Sequence, residues 1–162
     1  RWKTVALDIV EHFNLVPGNK LLDIGCAKGF LVKDLLDLGI DTYGIDISEY
    51  AIKNAVTEVS GRLHVGSAEK LIFPDKSFDA VISINTIHNL KKDHCLAAIR
   101  EVERVLSKKG NAYIQVDSYR NEEEKKIFES WVLTAKYHDY PENWIKLFNQ
   151  ANYSGDWYWT LV

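Results

Sequence analysis

Asp23 stands just ahead of two glycines four residues apart, in the run Leu21-Leu22-Asp23-Ile24-Gly25-Cys26-Ala27-Lys28-Gly29-Phe30. An apolar strand breaking into glycines that open a helix makes a tight turn. There the backbone can come close to a ligand, with a fixed carboxylate at the entrance. A second acid, Asp46, closes the next apolar segment, Tyr43-Gly44-Ile45-Asp46-Ile47-Ser48. Strand, glycine turn, helix, strand, acid is the layout of a nucleoside site in an open α/β sheet. A third stretch with chemistry is Ser83-Ile84-Asn85-Thr86-Ile87-His88-Asn89-Leu90. His88 there is a residue type that can take a proton near neutral pH.

Hydrophobic periodicity predicts the elements that must hold these residues. Residues 2–14 carry an apolar face (Val5, Leu7, Ile9, Val10, Phe13) ended by Pro17-Gly18-Asn19, so a helix precedes the first strand at 20–24. A helix is expected over 28–38, stopped by Gly39, and a strand over 41–46. Ser48 caps a helix predicted to run through Val59, with Ile52, Ala55, Val56 and Val59 inward. Strands follow at 63–65 and 79–84, the latter with the unbroken apolar run of a sheet covered on both faces. A helix over 93–106 ends in Lys108-Lys109-Gly110, where cations favour the helix dipole, and a fifth strand spans 111–117. Beyond it, helices are expected from 122 to 134 and from Pro141 through Ala151, then a last strand over 156–162. Alternating strands and helices imply right-handed crossovers and a parallel sheet whose ligand crevice lies at the carboxyl ends of the strands.

These residues in this order resemble the motifs of class I S-adenosylmethionine-dependent methyltransferases, in the methyltransferase type 11-like group. The first motif of that family commonly reads acid-x-Gly-x-Gly-x-Gly, and Asp23, Gly25 and Gly29 match three of its positions while Ala27 replaces the middle glycine. The resemblance continues through Asp46, Gly66-Ser67-Ala68-Glu69, Phe73-Pro74-Asp75-Lys76-Ser77-Phe78-Asp79 and Arg104-Val105-Leu106-Ser107-Lys108-Lys109-Gly110, covering residues 17 to 118. It implies a Rossmann-like α/β fold, a mostly parallel six- or seven-stranded sheet with helices on both faces. Only one of the family's two usual final strands is visible here.

The resemblance further implies a cofactor, S-adenosylmethionine, with S-adenosylhomocysteine as product. Its cofactor-binding residues would be Asp23, Gly25, Cys26, Ala27 and Gly29 beside the methionine and ribose portions, and Asp46 on the ribose hydroxyls. Ile47, Ser67 and Ala68 would border the adenine, with Asn85 near the sulfonium methyl. Ser67 departs from the acid often found at that position, although its hydroxyl can still accept a hydrogen bond. His88 is the candidate base for an acceptor hydroxyl, and the plain alternative is a loop histidine bonded to a carbonyl. The insertion after the fifth strand, residues 119–140, often folds over the acceptor in this family. Here it carries Tyr119, Trp131, Tyr137, His138 and Tyr140. Tyr119 and Tyr137 are therefore candidate substrate contacts, along with His88, unless these aromatics form a satellite core.

Composition bounds the rest. A chain of 162 residues fits one domain and can bury about two-thirds of its unfolded surface. Hydrophobic residues at 46% exclude a disordered chain, and no apolar run reaches the roughly 20 residues that span a bilayer. Net charge −3 supplies no general attraction for nucleic acid, so the expected partner is a small-molecule methyl acceptor, without nucleic acid or membrane. Cys26 and Cys95 form no disulfide framework, which suits a reducing cytoplasm. A start at Arg1, without methionine or an apolar leader, is expected of a shortened chain. His88 and His94 lack the ligand spacing of a metal site, and no Gly-x-Ser-x-Gly elbow supports a hydrolase. Nucleotide-linked oxidoreduction needs Gly-x-Gly-x-x-Gly, whose last two glycines are here Ala27 and Phe30. A binding subunit of the same fold without turnover is the remaining alternative.

Overall fold

The computed structural model describes residues 2–161. Six strands, β1 (Lys20–Ile24), β2 (Asp41–Asp46), β3 (Leu63–Val65), β4 (Phe78–Ile84), β5 (Leu106–Ser118) and β6 (Asp156–Leu161), form one sheet in the order β3-β2-β1-β4-β5-β6. Every neighbouring pair is parallel. The chain therefore moves outward from β1 to β3, then returns to place β4 on the other side of β1. That reversal opens a crevice above the carboxyl ends of β1 and β4.

Helices cover both faces, and strand alternation decides which residue meets which layer. Helices α1 (Trp2–His12) and α2 (Phe30–Asp37) pack Ala6, Ile9, Phe13, Leu31 and Leu35 on Leu21, Ala80 and Ile82. On the opposite face α4 (Lys92–Val105) and α6 (Pro141–Gln150) bring Ile99, Val102, Trp144 and Phe148 to Leu22, Val81, Ile114 and Val116. Consecutive strand residues such as Leu21 and Leu22 thus feed different cores. The all-parallel, six-stranded, Rossmann-like sheet matches the architecture expected from sequence.

The boundaries differ at several places. The helix expected from Ser48 to Val59 is broken: α3 spans Glu49–Lys53 and a single 3-10 turn spans Thr57–Val59. Ser48 does cap it, accepting from the Ala51 amide at 3.1 Å. The break comes where the Asn54 amide group donates to the Tyr50 carbonyl and the Val56 N–H turns to the Lys28 carbonyl. The four apolar positions still pack, with Cys26 and Val32, in one small cluster, which the break lets them reach. Helix α5 (Glu122–Trp131) stops short of 134, and α1 ends at His12, before Asn14 at φ 51°. β5 begins at Leu106, paired with Phe78 before a register irregularity. Val162, the expected end of β6, lies outside the described residues.

Candidate functional site

The glycine turn after β1 is tied to β2 by the Gly25 and Cys26 N–H groups, both donating to the Ile45 carbonyl. Its packing leaves no room for side chains at the glycines. A Cβ on Gly25, at φ +86°, would lie 1.9 Å from the Thr86 hydroxyl oxygen, and one on Gly29, at φ +79°, would lie 2.8 Å from both Leu63 and Val59. Ala27, at the position of the missing glycine, also has positive φ, 48°. Asp46 compensates: its Oδ2 accepts the Ala27 N–H at 2.8 Å while Oδ1 accepts the Ser48 N–H at 2.8 Å. One carboxylate therefore fixes both the turn and the start of α3, and a carboxylate that accepts two bonds keeps acceptor capacity for more.

Asp23 is different in kind. It is only 5% exposed, and among the described residues its carboxyl accepts no hydrogen bond. Burial first, and the Asp46 charge second, push its pKa up to about 7. Trp2, Gly25, Cys26, Ala27, Phe30, Leu31 and Ile84 surround a cavity of about 70 Å³ with it. A charged carboxyl held at this depth is costly unless a cation or donor meets it from the cavity. The expected cofactor carries an ammonium group, so the residues present fit it. Burial, with the Asp23 and Asp46 charges, raises the Cys26 thiol well above its ordinary range, so that thiol is no nucleophile.

At the next edge, the Ser67 hydroxyl donates to Glu69 Oε1 and accepts the Glu69 N–H, each at 3.3 Å. Ser67 and Ala68 are half-buried, and Ile47 beside them is 72% exposed. Leu71 instead belongs to the core.

Beyond β4, Asn85 is exposed at φ 51°, its N–H donating to the Gln115 carbonyl and its Oδ1 accepting the Thr160 hydroxyl. His88 is buried. Its Nδ1 accepts the Asp117 N–H at 3.2 Å, Nε2 lies 3.7 Å from the Asp117 carboxylate, and its carbonyl accepts the N–H groups of Lys136 and Tyr137. Burial lowers its pKa against the raising effect of Asp117, so the ring is neutral, with its proton on Nε2. Tyr119 and Tyr137 are packed inside: one bonds His138 Nδ1 at 3.0 Å, the other Asp139 at 3.2 Å. Tyr119 meets Tyr140 and Tyr137 meets Trp144 edge-on, and Tyr119 also packs on a tilted Phe128.

Asp23, Gly25, Cys26 and Ala27 thus line one cavity, with Asp46 bonded to the Ala27 N–H, whereas Gly29 packs towards Val59 and Leu63; Ser67, Ala68 and Ile47 lie on the β2–β3 side and Asn85 follows β4. Sequence reasoning missed Trp2, Phe30, Leu31 and Ile84 as the walls around Asp23: periodicity turned Phe30 and Leu31 into the core and ended a buried strand on Ile84, while Trp2 had no task; Phe30 is in fact half exposed, at the cavity wall. It also missed Thr86, whose side chain seats Gly25. Among the described residues no group of three or more histidines, cysteines or acids could hold a metal ion, and no helix is long and apolar enough to cross a membrane.

Residues 22–114 match the family model of the methyltransferase domain. An uncharacterized methyltransferase of Schizosaccharomyces pombe is 32% identical over 120 residues, 70% of this chain and 46% of that protein. The eEF1A lysine and N-terminal methyltransferase of Mus musculus is 33% identical over 118 residues, 67% of this chain but 17% of its own. The chain spans about half, or less, of the length of these relatives. Among solved structures, the YcgJ protein of Bacillus subtilis superposes with a TM-score of 0.76 at 22% identity, over 91% of this chain and 67% of that one. CalS10, an amino pentose methyltransferase of Micromonospora echinaspora solved with S-adenosylmethionine bound, gives 0.64 at 21% identity, over 72% of this chain and 51% of its own.

Proposed function

The chain belongs to the methyltransferase domain family, and we propose that it moves a methyl group from S-adenosylmethionine to a small-molecule acceptor by in-line displacement, leaving S-adenosylhomocysteine. The observation that carries this reading is the buried carboxyl of Asp23 beside a turn whose Gly25 and Gly29 have no room for a side chain. When bound, the cofactor supplies an electrophilic methyl on a sulfonium cation. Asp23 would take its ammonium group, the backbone of residues 25–29 its methionine and ribose portions, and the remaining acceptor capacity of Asp46 its ribose hydroxyls. Ser67, Ala68 and Ile47 would border the adenine, and Asn85 the methyl. The cradle's task is alignment of donor and acceptor, the larger part of what a protein contributes to such a displacement. An overall charge of −3 and the aromatic segment 119–140 favour a small organic acceptor. The mouse relative's name specifies a lysine acceptor on a protein, so protein methylation is the competing outcome.

Asp46→Ala tests the cradle. Losing charge-assisted bonds should weaken S-adenosylhomocysteine binding by about 2–4 kcal/mol, roughly 30- to 1000-fold. Calorimetric titration with unchanged affinity would refute the placement. A second reading, cofactor binding without turnover, is favoured by one observation: both ring nitrogens of His88 face Asp117, so neither offers a free lone pair to an acceptor. On the first reading His88 is the base only after Asp117 releases Nδ1. Otherwise it supports the segment behind it through its carbonyl, and Tyr119 and Tyr137, packed inside, leave the acceptor to other groups. Incubation with labelled cofactor and a metabolite extract separates the readings, because a binder retains ligand without producing S-adenosylhomocysteine.

A further inference from the structure

Residues 66–77 contain neither helix nor strand, yet on the reading above they set the adenine edge of the site. The backbone bonds that hold the segment are few: Gly66 N–H to the Asp46 carbonyl, Lys70 N–H to Ser67, and Lys76 N–H to Arg104. What fixes the middle is a pair of side chains from α4. The Leu71 N–H donates to Glu101 Oε2 at 2.7 Å, while its carbonyl accepts Arg104 Nη2 at 3.1 Å. Arg104 Nη1 reaches the Phe73 carbonyl at 3.0 Å and the Asp75 carboxylate at 2.7 Å. The other side of the same guanidinium forms a bidentate pair with Glu101, at 2.7 and 2.8 Å. One turn-spaced face of α4 therefore supplies Leu71 with both partners that a neighbouring strand would have given it. Two turns earlier on the helix, His94 meets Glu69 at 2.9 Å, and Glu69 in turn holds the Ser67 hydroxyl.

We propose that Arg104 is a positioning residue for the nucleobase: by clamping Leu71, Phe73 and Asp75 to α4 it holds Ser67 and Ala68 where they meet the adenine edge. This rests on the cofactor reading above. The clamp is specific to a planar fork with several donors, so lysine cannot reproduce it. Its aim at a ligand, instead of at stability alone, follows from what it grips. The segment's own side chains, Leu71 in the core and Phe73 edge-on to Tyr43 and Phe78, anchor its far half, whereas the stretch from Gly66 to Lys70, shaped by its own turn bonds and by His94 through Glu69, takes its end point from the Leu71 backbone that Glu101 and Arg104 clamp.

The test compares S-adenosylhomocysteine with S-inosylhomocysteine, which lacks the exocyclic amine, by calorimetry on the whole chain. Wild type should prefer the adenine compound by about tenfold, one hydrogen bond's worth. In Arg104→Gln that preference should fall towards unity, Arg104→Lys should not rescue it, and Asp75→Asn, altering an exposed arm of the clamp, should lower it by a smaller factor. Hydrogen exchange on the ligand-free variants should speed up in residues 66–77 and stay unchanged in β1. A merely structural role would weaken both ligands equally, so an undiminished preference in Arg104→Gln and Asp75→Asn overturns the proposal. Failure of wild type to bind S-adenosylhomocysteine instead overturns the cofactor reading on which it stands, while equal binding of both ligands by wild type leaves that reading intact and overturns the adenine-edge contact, and with it the proposal.

Discussion

Asp23 holds a proton that the unfolded chain would not. With a pKa of about 7 in the fold and 3.8 as the ordinary value, the folded state binds the proton more tightly. Stability is therefore undiminished below pH 4 and falls as pH rises towards 7, by about 4 kcal/mol at most. Asp23→Asn keeps the shape and removes the charge. Thermal denaturation should find the variant more stable than wild type at pH 8, with the two converging near pH 4. Ligand binding runs the other way, since an ammonium group prefers the ionised carboxylate. Wild-type affinity for S-adenosylhomocysteine should climb from pH 5.5 to 8, whereas Asp23→Asn should bind weakly with little pH dependence in titration calorimetry. A wild-type affinity indifferent to pH across that range would remove Asp23 from the ligand's amino end.

The glycine turn behaves as a preformed element. Gly25→Ala must push the turn away from Thr86 while holding φ near +86°, and should cost more than 2 kcal/mol of stability, read from urea unfolding. Ala27→Gly relaxes a left-handed alanine, and should leave stability unchanged or raise it by up to about 1 kcal/mol. The turn and both acids were legible in the sequence because glycines and carboxylates at strand ends have few other uses. Apolar runs likewise exposed β1 and β4, whose consecutive residues feed two cores. The broken helix at residues 48–59 was not legible: its apolar spacing is helical, and the break shows only in the Asn54 amide turning back to Tyr50 and the Val56 N–H turning to the Lys28 carbonyl in the glycine turn. Nor could spacing reveal that His88 would turn both nitrogens to Asp117, since that depends on β4 and β5 lying side by side.

For the whole molecule the cofactor reading predicts linkage between site and fold. A ligand that binds only the native state at a hundred times its dissociation constant adds about 2.7 kcal/mol, or roughly 5–10 °C in a chain of this size. Differential scanning fluorimetry with S-adenosylhomocysteine should detect that shift, and adenosine alone should give a smaller one. Packing between the last helix and strand is the other global control: Phe148 is buried against Trp144, Tyr153, Trp157 and Trp159. Phe148→Ala should cost about 3–5 kcal/mol, lowering the melting temperature by about 10 °C or more.

β1 sits between β2 and β4, and its second neighbour arrives late: Lys20 and Asp79, bonded across that junction, are 59 positions apart. At about 5–20 residues per second on a ribosome, the apolar segment Leu21–Ile24 waits several seconds half-covered before its partner exists. Loop closure over such distances is slow, and an uncovered strand edge invites association meanwhile. A nascent chain halted at residue 75 should therefore remain protease-sensitive, and one carrying β4 and α4 clear of the exit tunnel should begin to resist.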